Sequence, residues 1–388
     1  MIRRLATVAL ASGLALTACK KKDETAPPAL AMPAKRVVGL VTDVGGRGDQ
    51  SFNDSALRGL ELWAAGARFE GGGYRPSSAD ELKASLTPEL ASRQPPIVPL
   101  GVAPLVVQSK AQEDYEPNLE LLVEQGAELT VGVGFMLENA VEAVARRNPK
   151  AKFLLIDSPV LDASGKPICL PNVRTVVFRE EEGSFLVGAL AGLVSKRRVG
   201  FVGGMEIPLI KKFEAGFRAG VASTNPAAAE KLLATYTGSF DNVAAGKQVG
   251  QDLMAKGVDV VFQAAGSDGL GVIQAVKEAR AEGKDVYVIG VDSDQAHLAP
   301  GAVLTSMVKR VDLAVYEAVR DLKAGTLAGG DVARGLKEDG VGLAVVRLDF
   351  PGKLEALAKL EALRQRVVSG ELHVPSNAAE LAAFKAQP

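Results

Sequence analysis

From Asp114 onward the chain alternates short apolar runs with segments of helical length, and this rhythm limits the possible folds more than any other feature. Apolar runs at 129–134, 152–157, 175–178, 198–203, 232–237, 258–264, 285–291 and 303–308 read as strands. The intervals 116–126, 137–147, 180–194, 209–223, 243–256, 268–282 and 311–323 read as helices, and a further strand falls near 343–349 before terminal helices. Strands alternating with helices in this way form a parallel sheet with right-handed crossovers. With an opening strand at 37–41 the count reaches about ten or eleven, many for one open sheet. Two sheets of five or six strands, and hence two lobes, are expected. No tandem sequence repeat is visible. Hydrophobic residues make up 47% of the 388 positions and charged residues 23%, enough apolar material for such cores. The net charge of −1 gives no reason to expect a nucleic-acid partner.

Ahead of this body lies a different kind of sequence. Arg3 and Arg4 precede an apolar stretch from Leu5 to Leu16 that is too short for a lasting membrane span, so residues 1–18 read as a secretory signal. Its end, Leu16-Thr17-Ala18-Cys19, resembles a bacterial lipobox, which implies cleavage before Cys19 and lipidation of that residue, palmitate included. Residues 19–35 then form a polar tether rich in Pro and Ala. The other cysteine, Cys169, is left unpaired and reads as a small apolar loop residue without a role.

The stretch 36–59, RVVGLVTDVGGRGDQSFNDSALRG, places a buried strand, a glycine loop and a helix N-terminus in succession. Open α/β sheets bind ligands at such strand ends. The helix is expected at 51–65, with Ser51 or Asn53 near its N-cap. Segment 66–110 is irregular: it carries Gly71-Gly72-Gly73, Pro95-Pro96, a possible helix from Asp80 to Leu90 limited by Pro88, and an apolar run from Ile97 to Val107 broken by Pro99 and Pro104.

The strand ends carry a consistent polar set. Asp43, Asp157 and Asp292 each end a strand, Phe240 and Gly266 follow two others, and Lys309 closes a sixth. Carboxylates only accept hydrogen bonds, so the set suits a ligand with hydroxyl and amine donors and would repel a phosphate. Two aromatic rings in opposite lobes can sandwich a flat ring, at about 1–3 kcal/mol per stacked base. An aspartate at a strand end can equally be the N-cap of the next helix, and Phe52 and Phe240 can equally be core residues. Phosphate-loop, dinucleotide and nucleophile-elbow motifs are missing, and His297 and His373 have no metal-ligand spacing. Binding is favoured over catalysis, with no cofactor.

The segments VGLVTDVGGRGDQSFNDSALRGL, KFLLIDS, NVRTVVFREEEGSFLVGALAG, TYTGSFDN, VFQAAGSDGLGVIQA, IGVDSDQ and VLTSMVKRVD resemble the basic membrane protein family of ABC-transporter substrate-binding lipoproteins, whose best-understood members are purine nucleoside receptors. The resemblance implies a type I periplasmic-binding fold, α/β, with two Rossmann-like lobes of parallel sheet joined by a three-crossover hinge. By that pattern lobe one is 36–158 plus 293–325, and lobe two is 159–292 plus 326–388, with an insertion in lobe one at 70–110. Phe52 and Phe240 would sandwich a purine. Asp43, Asn53 and Asp157 would face the base edge or nearby polar atoms. Gly266, Asp292 and Lys309 would hold the ribose. The implied protein is no enzyme. It is a monomeric receptor, anchored through Cys19 in the bacterial cell envelope, that passes a purine nucleoside to an ABC permease. The turn reads GRGDQSF where the family commonly has two acidic residues and a Lys before SF, so Gly48 and Gln50 depart from it. A second, shorter excess lies between Asp157 and Asn172. Rival readings are the same fold holding another nucleoside or a sugar, and a secreted nucleoside-processing enzyme.

Overall fold

The computed structural model describes residues 35–162 and 164–385. The signal peptide, Cys19 and nearly all of the tether lie outside the described residues. Two six-stranded sheets organise the rest. The first runs Gly330–Arg334, Val173–Phe178, Lys152–Ile156, Leu129–Val133, Val37–Thr42 and Ala103–Gln108, all parallel. The second runs Leu233–Tyr236, Arg198–Gly203, Val258–Ala264, Tyr287–Asp292 and Val303–Lys309 in parallel, with Val341–Leu343 antiparallel at its edge. The two sheets share one topology although no repeat shows in the sequence. In each, the first strand of the lobe has the second on one side and the third on the other. The gap beside that first strand is where the order reverses and ligands settle.

The central strands are buried on both faces. The five residues of Leu129–Val133 and the seven of Val258–Ala264 are all buried. That explains their unbroken apolar runs, which a half-exposed strand would replace with alternation. Segment 66–110 resolves into a hairpin, Ala67–Glu70 with Gly73–Pro76, two short helices and the edge strand Ala103–Gln108. The expected helix from Asp80 to Leu90 is split into Ala79–Ala84 and Pro88–Ala91. Pro88 stands at the start of the second helix and Thr87 caps it, where a missing N–H costs nothing. Pro104 is tolerated because its strand is an edge.

The chain changes lobe three times, as expected, but one strand later each time. Val173–Phe178 and Gly330–Arg334, expected in lobe two, pair in the first sheet, and Val303–Lys309, expected in lobe one, pairs in the second. The crossings therefore fall near 179, 310 and 335–340 instead of 158, 292 and 325. They lie side by side: Arg179 N–H donates to Arg334 O at 2.9 Å, and Arg310 N–H to Gly340 O at 2.8 Å. Three adjacent single-chain crossings are the geometry of a hinge.

In lobe two the helices Glu180–Val194 and Pro208–Thr224 approach until their backbones touch. A β-carbon on Gly220 would stand 2.0 Å from Phe185 O, and one on Gly216 2.1 Å from Glu181 O. Gly220→Val should force these helices apart and cost at least about 1–3 kcal/mol, read as a lower urea midpoint. An unchanged midpoint would refute the close packing.

Candidate ligand-binding site

Between the lobes lies a hollow of about 550 Å³, open solvent included, and the eight residues singled out in the sequence all line it. Asp43, Phe52, Asn53 and Asp157 come from lobe one; Phe240, Gly266, Asp292 and Lys309 come from lobe two. Two of the strand-end aspartates, Asp157 (φ 71°) and Asp292 (φ 60°), hold left-handed backbone, a strain that side chains other than glycine seldom accept.

The glycine loop folds around Asp49. Its carboxylate accepts from the backbone N–H of Ser51, Asn53 and Asp54 and from the Asn53 amide, at 2.7–3.0 Å. This caps the helix that starts at Phe52, a role expected of Ser51 or Asn53. Neither caps, because each side chain is used elsewhere. Asn53 donates one amide N–H to Asp43 Oδ1 at 2.7 Å and the other to Asp49 Oδ2 at 3.0 Å. It therefore holds the two carboxylates in place and has no amide hydrogen left for a ligand. Ser51 Oγ donates across the lobes to Asp292 Oδ2 at 2.6 Å.

Asp43 is buried, and burial pushes its carboxyl up to about 6 against the opposing bonds from Asn53 and Gly45, with the nearby Asp157 charge adding to the rise. Its Oδ1 is taken by the Gly45 N–H (2.8 Å) and by Asn53. Its Oδ2 faces Gly134, where a β-carbon would come within 3.2 Å of that oxygen and 3.4 Å of the Phe52 ring.

Lys309 sits at the floor, almost wholly buried. Its ammonium is 2.6 Å from Asp157 Oδ2, 3.6 Å from Glu180 Oε1 and 4.0 Å from Asp292 Oδ1. It also lies 4.8–5.5 Å from the ring centroids of Phe52, Phe213 and Phe178. Burial alone would lower its pKa, but Asp157, Asp292 and Glu180 together raise it above the ordinary lysine value. Burial in turn raises Asp292 and Glu180, with Lys309 opposing in both cases. Among the described residues Asp157 Oδ1 has no hydrogen-bond partner, a buried acceptor on a side chain that lines the hollow.

The two rings are held differently. Phe52 opens a helix whose body is anchored by Leu57, Leu60 and Trp63. Phe240 packs against backbone: a β-carbon on Gly204 would stand 2.3 Å from its ring, and Ser267 N–H donates to its carbonyl at 2.9 Å. Phe135, beyond the end of Leu129–Val133, meets Phe240 edge-on at 6.4 Å. Sequence reasoning missed Asp49, Phe135, Glu180 and the apolar wall of Leu209, Ile210 and Phe213. Phe135 obeys the strand-end rule and could have been found by it. Glu180, in the run Glu180-Glu181-Glu182, looks like an ordinary acidic helix start and is fully buried only because the first crossing carries it under Lys309.

Among known proteins, a family profile described as "ABC transporter substrate-binding protein PnrA-like" matches residues 36–378. A "CD4+ T-cell-stimulating antigen" of Listeria monocytogenes is 33% identical over 382 residues, covering 94% of this chain and 96% of its own length. An "ABC transporter nucleoside-binding protein BmpA" of Lactococcus lactis is 30% identical, covering 96% and 98%. Among solved structures, an ABC transporter solute-binding protein of Aeropyrum pernix superposes with a TM-score of 0.71 at 29% identity, covering 90% of this chain and 96% of its own.

Proposed function

The chain belongs to the basic membrane protein family of PnrA-like ABC-transporter substrate-binding proteins, and on that premise we propose that it captures a purine nucleoside between its lobes and delivers it to a permease. Members of this family are substrate-binding proteins of ABC transporters and not enzymes, and such proteins act outside the cytoplasm. Among the described residues no helix is long and apolar enough to cross a membrane. In our reading Cys19 carries a lipid anchor and the protein acts as a monomer.

The observation that carries the proposal is the convergence on one hollow of two aromatic rings from opposite lobes with buried carboxylates. On this reading a flat base stacks between Phe52 and Phe240. Asp43 Oδ2 accepts from an N–H on the base edge, which hypoxanthine and guanine offer at N1 and adenine at its exocyclic amine. Asp157 Oδ1 and Asp292 accept from ribose hydroxyls, and Lys309 donates. This revises two of the roles that the resemblance implied. Asp157 moves to the sugar side because it pairs with Lys309, and Asn53 becomes a positioning residue. Calorimetric titration with inosine, guanosine, adenosine, cytidine and ribose tests the reading. Submicromolar purine nucleosides with weak cytidine and ribose are expected. Ribose binding as tightly as inosine would point to a sugar receptor, and no binding by any of them would sink the assignment.

Affinity should also depend on pH. A base N–H bonded to ionised Asp43 favours the anion, so the complex holds the Asp43 pKa below the free value of about 6. Binding then releases a proton in this range. Affinity is full above pH 6 and falls on acidification, approaching tenfold per pH unit until the lower pKa is reached. Titrations from pH 5 to 8 in buffers of different ionisation enthalpy would measure both effects. A flat profile would remove Asp43 from the base edge.

A further inference from the structure

The hinge strand that carries Lys309 into the cleft has a second hollow on its other face. Val308 and Arg310 line a groove of about 1520 Å³, open solvent included, while Lys309 between them lines the cleft. The alternation of side chains along a strand puts the two hollows back to back. Leu90, Val308, Leu336, Val341, Leu357 and Leu360 give the groove apolar walls. They come from three parts of the molecule. Leu90 hangs from segment 70–110 on lobe one, Val308, Leu336 and Val341 flank the crossings, and Leu357 and Leu360 lie on helix Lys353–Val368, which packs on lobe two.

Three guanidinium groups reach this groove, and two of them are neutralised. Arg93 pairs with Glu317 at 2.7 Å and Asp339 at 3.5 Å, and Arg364 pairs with Glu361 at 2.8 Å. Arg310 makes one long bond, 3.4 Å to Thr87 Oγ1, and among the described residues has no ion pair within 4 Å. Glu89, also on the rim, bonds first to Thr87, with the field of Arg310 adding only a smaller effect.

We propose that this groove is a second, regulatory site for an aliphatic carboxylate, with the alkyl chain along the leucine wall and the head group on Arg310. An apolar trough in which one guanidinium is held in no ion pair has that polarity complementarity. Its position gives it leverage. The bonds from Asp157 to Lys309 and from Ser51 to Asp292 close the lobes at the front. Closing at the front parts the walls behind the hinge, so an occupant there favours the closed form. By linkage it then tightens ligand binding in the cleft, and the cleft ligand tightens the groove by the same factor.

Titration of the whole protein with decanoate, alone and with saturating inosine, tests this. One saturable site is expected, tighter by about fivefold or more when inosine is bound. Arg310→Gln should weaken decanoate by about tenfold or more, through loss of a charge-assisted bond, and leave inosine affinity without decanoate unchanged. Leu357→Asp, which puts a like charge on the wall, should abolish uptake. If Leu357→Asp fails to fold, Arg310→Gln alone decides. Absence of saturable uptake by folded wild-type protein, or uptake unaltered by both variants, would overturn the site. Equal decanoate affinity with and without bound inosine would overturn the coupling. Should inosine itself not bind, the decanoate titrations of wild type and Arg310→Gln still test the groove.

Discussion

Replacing Lys309 by Met is expected to destabilise the protein by about 3–5 kcal/mol at neutral pH and to abolish nucleoside binding. The ammonium is buried among Asp157, Glu180 and Asp292, all within 4.0 Å, and the remaining cation nearby, Lys212, reaches only Glu180, at 3.3 Å. A methionine keeps the volume and removes the charge, which leaves three buried carboxylates without the cation they share. The Asp292 and Glu180 pKa values, already raised by burial, must then rise further. Groups with raised folded-state pKa values weaken the fold as pH climbs through those values, so the loss should be larger at pH 8 than at pH 5. Urea unfolding at the two pH values measures this directly. The binding defect has a separate origin, because Lys309 also joins the lobes through Asp157. A Lys309→Met protein as stable as wild type at pH 8, with intact inosine affinity, would show that the cluster is neither structural nor part of the site.

Phe52→Ala and Phe240→Ala should each weaken a purine nucleoside by about 1–3 kcal/mol, roughly five- to 150-fold, and Phe240→Ala should do so with little effect on the folded state. Both rings line the hollow, so truncation removes a stacking surface; Phe240 only packs against the core, whereas Phe52 belongs to it and its truncation also opens a cavity there. Phe240 offers the cleaner test. It rests on the backbone of Gly204 and is only partly buried, whereas Phe52 also covers Lys309. Part of any Phe52 effect will therefore come from the altered surroundings of that ammonium. Phe69→Ala, on the exposed hairpin, is the control and should bind normally. If the cleft variants bound inosine as tightly as the Phe69 control, the sandwich would be wrong, and the carboxylates alone would have to account for recognition.

Much of the cleft was legible in the sequence. In a parallel sheet the carboxyl ends of strands lie on one rim, so a list of strand ends is already a list of neighbours. Asp43, Asp157, Asp292 and Lys309 were found in that way, and the rings with them. The order within the rim was not legible. Nothing near Ser51 in the sequence announces that its hydroxyl bonds a carboxylate 241 positions away. Nor does Asn53 announce that Asp43 and Asp49 exhaust its amide. Asp49 does not announce its cap either, because its four donors appear only once the glycine turn has bent back on the helix.

Local structure and the composition of the rim follow from the order of residues along the chain. Apolar runs buried on both faces, helices between them and polar residues at each turn are effects of near neighbours, and near neighbours are what a sequence displays. Which sheet receives each strand is settled by long-range packing. Val173–Phe178 and Val303–Lys309 would be equally well buried in either sheet, and their partners are set by the path of the whole chain. That path moved every lobe crossing by one strand. It carried Glu180 beneath Lys309, and it left Lys309 facing the cleft with Arg310 facing the groove behind it. The balance of charge at the hinge follows from those long-range pairings, because the electrostatics of buried groups depend on distance in space and not along the chain.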